Sequence, residues 1–159
     1  MITESIIIRK AKIGDVPQLI ELGIDLMKYH EKLDSYFKMA KNAKSVYKIF
    51  FRKCIIDNKR RLLVAEYNNK IIGYALGSLK LRAPVLKVRR VGRINDLFVK
   101  SGFRRQKVGK KLFSELIKWF RFKKINDVDL GVHVNNEIGK KTWGNYGFKT
   151  FKLEQKIRI

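Results

Sequence analysis

The stretch L-F-V-K-S-G-F-R-R-Q-K-V-G-K-K-L-F, Leu97 to Phe113, decides how this chain is read. It begins as an apolar strand, passes through a tight basic turn and ends in the opening turns of an amphipathic helix. Gly109 stands where the backbone must come close to something, with lysines and arginines around it. The first N–H groups of a helix have no intrahelical acceptor and carry the positive end of its dipole. Such a turn offers a pyrophosphate both hydrogen bonds and charge. The expectation is a phosphorylated cofactor held there.

Working outward, Val108, Leu112, Phe113, Leu116, Ile117 and Phe120 recur at helical spacing with lysines opposite, and Arg93 to Val99 reads as the strand that feeds the turn. Upstream, Leu62 to Tyr67 and Ile71 to Leu79 are strands joined by Asn68-Asn69-Lys70, a pairing that suits a hairpin. Arg82 to Gly92, with Pro84, reads as a basic loop. Ser5 to Ala11 is a first strand. Asp15 is expected to cap the helix that follows, with Pro17 in its first turn and Val16, Leu19, Ile20, Gly23, Ile24 and Met27 on its inner face. A second, basic helix spans Asn42 to Asp57 and directs Val46, Ile49, Phe50, Cys54 and Ile55 inward. Downstream come a strand from Val128 to Val134, a short helix from Asn136 to Tyr146 and a final strand from Phe148 onward. This order predicts one α/β domain over residues 1–159, a mixed sheet flanked by helices.

Charge is the compositional outlier: 37 Lys and Arg against 14 Asp and Glu, a formal +23. Such a field attracts polyanions, nucleic acids and CoA-type cofactors among them, although its spread along the whole chain also fits a lysine-rich surface with no partner. The lone Cys54 excludes an intrachain disulfide and a cysteine-based zinc site, and His30 and His133 are too few and too far apart for a metal centre, so no metal is expected. No apolar run reaches the roughly 18 residues that span a bilayer, and no basic-then-apolar leader pattern opens the chain. The expectation is a cytoplasmic protein with no membrane partner.

Arg104-Arg105-Gln106-Lys107-Val108-Gly109 resembles the cofactor signature Arg/Gln-x-x-Gly-x-Gly/Ala of the GCN5-related N-acetyltransferases (GNAT). Asn136 followed by W-G-N-Y-G-F at residues 143–148 resembles the family's second signature in order and spacing, and D-V-P-Q-L-I-E-L resembles its opening helix. The resemblance implies the GNAT fold, a central and mostly antiparallel sheet flanked by helices. It also implies acetyl-CoA as co-substrate, without a metal. Pantetheine would pair with the backbone near Leu97, Phe98 and Val99, and Asn136 would hold it from the other side. The pyrophosphate would rest on N–H groups from Arg105 to Lys110, with Gln106, Lys107, Val108 and Gly109 forming the turn and Arg104 and Lys110 adding charge. A solvated basic face is the plainer account of these cations.

Two departures bear on the chemistry. Lys107 replaces the middle glycine of the signature; if the backbone needs a positive φ there, the cost is on the order of 1 kcal/mol. Trp143 stands where relatives often carry an acidic tyrosine, and an indole N–H cannot protonate a leaving thiolate near neutrality. Trp143 is then expected against the cofactor, and Tyr146 is a substitute acid or a core aromatic. The acceptor amine must also lose a proton, because an amine of pKa about 10.4 is only about 0.04% free base at pH 7. Relatives often place a glutamate where Asn95 stands. Asp96 is the neighbouring carboxylate, which strand alternation points to the opposite face, and His133 is a further candidate base.

Glu31 and Asp34, in Y-H-E-K-L-D-S-Y-F, are the carboxylates that could seat a small-molecule or protein amine, or simply belong to a polar loop. The reading is an acetyl-CoA-dependent N-acetyltransferase that transfers to a primary amine by direct attack, with a homodimer as a family expectation. Two others stay open. One is a nucleic-acid-associated binding protein on the same scaffold, using Lys87, Arg89, Arg90, Arg93, Lys140 and Lys141 on phosphates. The other is an acyl-CoA sensor without chemistry.

Overall fold

The computed structural model describes residues 5–159; residues 1–4 of the expected domain lie outside it. Nine principal elements follow one another: β1 (Ile7–Lys10), α1 (Val16–Leu33), α2 (Ala43–Ile56), β2 (Arg60–Tyr67), β3 (Lys70–Leu81), β4 (Arg90–Val99), α3 (Val108–Phe122), β5 (Val128–Leu130) and α4 (Glu137–Asn145). The strands form one sheet in the order β1-β2-β3-β4-β5, antiparallel except for the parallel β4–β5 pair. The β2–β3 turn is the one the sequence predicts. Asn68 and Asn69 take φ of 49° and 58°, the left-handed pair that lets a two-residue turn match strand twist.

Each sheet face builds its own core. Leu62, Val64, Tyr74, Leu76 and Phe98 pack against Leu19, Leu22 and Phe51 of α1 and α2. Leu63, Ala65, Ile72, Ala75 and Ile94 pack against Val108, Leu112, Leu116 and Phe120 of α3. Helix α3 lies unusually close to the sheet. A Cβ on Gly92 would stand 2.5 Å from the Phe120 ring and one on Gly77 2.7 Å from Leu116.

Several expectations need correction. Of Ser5 to Ala11 only Ile7–Lys10 pairs as a strand. Val46 and Ile49 of α2 are exposed, and its inner face is carried by Phe51 and Cys54. The α1 stripe also takes in Leu22 and Leu26, both buried, while Ile20 packs at its edge and Met27 is only partly buried, because that helix meets both the sheet and α2. Strand β4 begins at Arg90, inside the expected loop, since β3 remains paired with it out to Leu81–Arg90. The last predicted strand does not form: residues 149–159 carry no helix or strand and stay exposed.

Asp15 does not cap α1 with its side chain. Its carboxylate accepts from Arg9 Nη1 and Nη2 at 2.8 Å and from the Lys12 N–H at 2.7 Å, and Arg9 Nε also donates to Glu66 at 2.6 Å. The group ties β1 and β2 to the turn before α1. The Arg9 guanidinium is the main cause holding the Asp15 carboxyl below its usual value. That stabilisation is present above the unfolded carboxyl pKa of about 4 and is lost as pH falls through the lower folded value. Arg9→Met, which leaves Asp15 largely buried without a cation, is expected to cost about 2 kcal/mol at pH 7 and less at pH 3. Urea midpoints at the two pH values check it.

Candidate functional site

Strands β4 and β5 begin side by side and then part. Pairing runs through Gly92–Val128, Arg93–Asp129 and Ile94–Leu130; β5 ends there, whereas β4 continues to Val99. From Asn95 onward the β5-side edge of β4 has no strand beside it among the described residues. The same point carries a bulge. Gly77 pairs with Ile94 and Leu76 with Asp96, so Asn95 is an extra residue in β4.

The bulge overturns the expected alternation. Ile94, Leu97 and Val99 all belong to the α3-side core, whereas Asp96 meets Tyr74, and Asn95 accepts from Ser78 Oγ at 2.8 Å. Tyr74 and Ser78 share the α1/α2 side of β3, so Asn95 and Asp96 turn to that side together. The Tyr74 hydroxyl donates to Asp96 Oδ2 at 3.3 Å. Burial raises the Asp96 carboxyl, partly offset by that hydroxyl. Among the described residues no cation pairs with it.

Below the end of β4 the basic turn reaches α3. Arg105 and Lys107 take φ of 63° and 61°, and Lys107 is the N-cap residue, without a side-chain cap. The first intrahelical acceptor is Lys107 O, taken by Lys111 N–H; the N–H groups of Val108, Gly109 and Lys110 meet no acceptor among the described residues. Arg105, Lys107 and Lys110 are exposed at the same place. Three free donors at a positive helix end, ringed by unpaired cations, fit a pyrophosphate. Lys107 does adopt the conformation that disfavours a side chain. Lys107→Gly is expected to raise stability by about 0.5 kcal/mol, the steric relief being partly offset by backbone entropy. Thermal unfolding reads this.

Other expected residues fall differently. Arg104 is not a free phosphate ligand: its Nε donates to Val99 O at 3.0 Å and its guanidinium lies 5.8 Å from the Phe98 ring. It pins the end of β4 and occupies one carbonyl expected for pantetheine. Gln106 reaches back to Gly102 O at 3.3 Å. Gly109 packs loosely over β4, where a Cβ would meet Leu97 Cδ2 at 3.5 Å and Tyr146 Oη at 3.8 Å, both ordinary contacts.

Trp143 joins an aromatic group of the chain itself, with ring centroids 6.2 Å from Phe113, 5.8 Å from Tyr146 and 5.5 Å from Phe148. Tyr146 stacks on Phe113 at 4.6 Å, and burial raises its phenol pKa, so the hydroxyl remains a proton donor. Asn136 caps α4 by accepting from Gly139 N–H at 2.8 Å, and the same oxygen accepts from the Tyr29 hydroxyl at 2.8 Å. Its NH2 has no hydrogen-bond partner among the described residues. Tyr29 has no signal in the sequence, since it lies 107 residues from its partner.

The two acceptor-loop acids separate. Asp34 Oδ1 accepts from Tyr36 N–H at 2.9 Å; Oδ2 lies 3.1 Å from His133 Nε2 and 3.5 Å from Lys156 Nζ. The Tyr36 N–H first, then His133 and Lys156, hold this carboxyl below its usual value. His133 Nδ1 accepts from Asn135 N–H at 3.1 Å, so Nε2 carries the proton given to Asp34 and neither nitrogen is free to act as a base. Glu31 is half-exposed and has no ion-pair partner among the described residues. Of the six cations considered for phosphate contacts, three are engaged: Arg93 with Asp129 at 2.6 Å, Lys140 with Glu137 at 2.6 Å and Arg90 with Lys123 O at 3.4 Å.

The helix N-terminus with free amides is the arrangement the basic turn predicted, and β4 parts from β5 just before that turn. The model of the acetyltransferase (GNAT) family matches residues 26–148. This chain belongs to the GNAT family. As a GNAT fold it is similar to a mutant of the BH1408 protein from Bacillus halodurans, at 21% identity over 96% of this chain and 99% of that one, with a TM-score of 0.85. It is also similar to the aminoglycoside N-acetyltransferase AAC(6')-Iy solved in complex with CoA, at 16% identity, 98% and 95% coverage and a TM-score of 0.78. A predicted acetyltransferase from Clostridium acetobutylicum, solved with acetyl-CoA, shares 18% identity over 97% and 96% of the two chains, with a TM-score of 0.77. No curated protein matches the sequence. Within the GNAT frame, the wedge beside β4 and the turn before α3 lie inside the matched segment, as do Asp96, Asn136 and Tyr146.

Proposed function

We propose that this GNAT protein is an acetyl-CoA-dependent N-acetyltransferase acting on a primary amine by direct attack. The observation that carries the reading is the set of free N–H groups on Val108, Gly109 and Lys110 beside the unpaired edge of β4. Acetyl-CoA, when bound, supplies an activated acetyl thioester. The three amides hold its pyrophosphate, with Arg105, Lys107 and Lys110 adding charge. The open edge from Leu97 to Val99 offers backbone groups to pantetheine, and the unengaged NH2 of Asn136 offers a donor from the α4 side. Similar solved structures include acetyltransferases in complex with CoA and acetyl-CoA, and aminoglycoside acetyltransferases, which supports both the cofactor and a small-molecule amine class.

The chain's two proton-handling groups sit on opposite sides of β4. Asp96, on the α1/α2 side, removes a proton from the incoming amine; its raised pKa makes it a stronger base than an exposed aspartate. Tyr146, on the α3 side, holds a proton near Gly109 that can be given to the departing sulfur. A thiol of pKa about 8.5 also leaves without help, so this donor is worth less than the base. Glu31 is the carboxylate still available to draw a cationic acceptor. The net charge of +23 works against free polyamines and favours an amine carried on a neutral or acidic molecule.

The test is calorimetric titration with acetyl-CoA at about 0.5 M salt, where the Debye length is roughly 4 Å and diffuse attraction to the basic surface is screened. Saturable binding followed by acetyl transfer to members of an amine panel is expected. Absence of binding would overturn the reading, and RNA affinity insensitive to acetyl-CoA would favour the nucleic-acid alternative.

A further inference from the structure

Past Ser78 the β3–β4 hairpin leaves its neighbours behind. On one side β2 pairs with β3 no further than Arg60–Ser78, with a last bond from Leu79 N–H to Lys59 O. On the other side β5 pairs with β4 no further than Gly92–Val128. From Lys80 to Val91 the two strands have only each other among the described residues. They pair through Leu81–Arg90 and then through Arg82 N–H to Arg89 O at 2.8 Å. The turn is tight: Leu86 N–H donates to Ala83 O at 3.0 Å, and Arg82 Nη1 donates to Val88 O at 3.1 Å. Every residue from Leu81 to Arg90 is exposed.

The tip of this ribbon is apolar. It reads A-P-V-L, Ala83 to Leu86. Val85 is 89% exposed and Leu81 69%, and Leu86 and Val88 are exposed beside them. The register sets Leu81, Ala83 and Val88 on one face and Lys80, Arg82 and Arg89 on the other. From Lys80 to Val91 there are five Lys or Arg and no Asp or Glu. None of the five forms an ion pair among the described residues. A cluster of solvated aliphatic side chains marks a contact surface, and the cations around it fix the sign of the partner.

We propose that this partner is an anionic bilayer surface, entered by the hairpin tip while the flanking cations meet lipid phosphates. The alternatives satisfy only half of the ribbon. An RNA strand would engage the cations through its phosphates but leave Val85 and Leu86 in water. A second copy of the chain would set Arg82, Lys87 and Arg89 against like charges, with no carboxylate in the ribbon to offset them. A bilayer meets both needs. Aliphatic side chains enter the boundary of headgroups and acyl chains, and long Lys and Arg side chains reach back to the phosphates. Among the described residues no helix is long and apolar enough to cross a membrane, so the contact is peripheral. The cofactor turn follows Val99, at the other end of β4 from Arg90 and about 30 Å away, so it stays open to solution. The inference is independent of the acetyl-transfer reading.

Co-sedimentation with vesicles at about 0.15 M salt, where the Debye length is roughly 8 Å, tests it. Wild-type protein is expected on vesicles of phosphatidylglycerol mixed with phosphatidylcholine and not on phosphatidylcholine alone. A net charge of +23 draws the whole protein to any anionic surface, so the variants carry the decision. Val85→Ser with Leu86→Ser keeps the charge and is expected to lower partitioning at least about tenfold. Arg82→Gln with Arg89→Gln is expected to lower it more than Lys28→Gln with Lys48→Gln, an equal change of charge on α1 and α2. All six side chains are exposed, so the unfolding midpoints are expected to hold. Cys54 is buried and stays unlabelled in the folded protein. An environment-sensitive dye on Val85→Cys is therefore expected to shift its emission to the blue with anionic vesicles and not with RNA. No partitioning, a serine pair that binds like wild type, equal losses from the two glutamine pairs, or a blue shift brought on by RNA or by protein concentration alone would each overturn the proposal.

Discussion

Gly109→Trp is expected to abolish saturable acetyl-CoA binding, lowering affinity at least about 100-fold, while Gly109→Ala binds within a few-fold of wild type. The two outcomes follow from one geometry. A Cβ at Gly109 meets Leu97 Cδ2 at 3.5 Å, Tyr146 Oη at 3.8 Å and Val99 Cγ2 at 3.9 Å, which leaves room for a methyl group. An indole has no such room and must swing over the N–H groups of Val108, Gly109 and Lys110. Hydrogen bonds to a charged phosphate are worth about 1.5–3 kcal/mol each, so blocking two accounts for a factor of about 100 or more. Calorimetry at about 0.5 M salt reads the loss, and the unfolding midpoints of both variants separate it from a folding defect. A tryptophan variant that folds and still binds would move the cofactor away from this turn.

Asp96→Asn is expected to lower kcat/KM for acetyl transfer by about 10² to 10³ while leaving acetyl-CoA affinity unchanged. General-base assistance contributes in this range, and the amide keeps an oxygen for the Tyr74 hydroxyl without being able to take a proton. The pH dependence distinguishes this role from a structural one. Burial raises the Asp96 carboxyl, so the wild-type rate falls as pH drops through that raised value, and the asparagine variant loses this limb. Stability moves the other way. A carboxyl raised on folding binds its proton more tightly in the native state, so its contribution is greatest at low pH and declines as pH rises from the unfolded value through the folded one. Above that window Asp96→Asn is expected to be as stable as wild type or more so. A variant that is less active and less stable together would point to packing instead of catalysis.

Local physics made much of the site readable. The strand, basic turn and helix from Leu97 to Phe113 follow from apolar period and from the helix end itself. The family signature marks position 107 as the one where a positive φ would strain Lys107, and the structure has it at 61°. Asp96 is the instructive failure. Its side depends on the extra residue Asn95, which exists only because of how β4 registers against β3. Arg104 was read as a phosphate ligand because its charge is visible in the sequence, whereas its bond to Val99 O is not. His133 and Asp34 each looked available until the fold brought them within 3.1 Å of one another.

Local sequence was enough for the helices, most of the strands, the hairpin at Asn68 and Asn69, the free amides before α3 and the family, because each depends on residues a few positions apart whose backbone preferences and spacing are local. The tertiary structure decided which side of β4 Asp96 serves, that Tyr29 holds Asn136, that Asp34 is already neutralised, and that the C-terminal segment turns its apolar side chains outward. Those outcomes join residues from 22 to 122 positions apart. Contacts at such separations are set by strand register and by which faces remain to be covered, and no periodicity within a segment encodes either one.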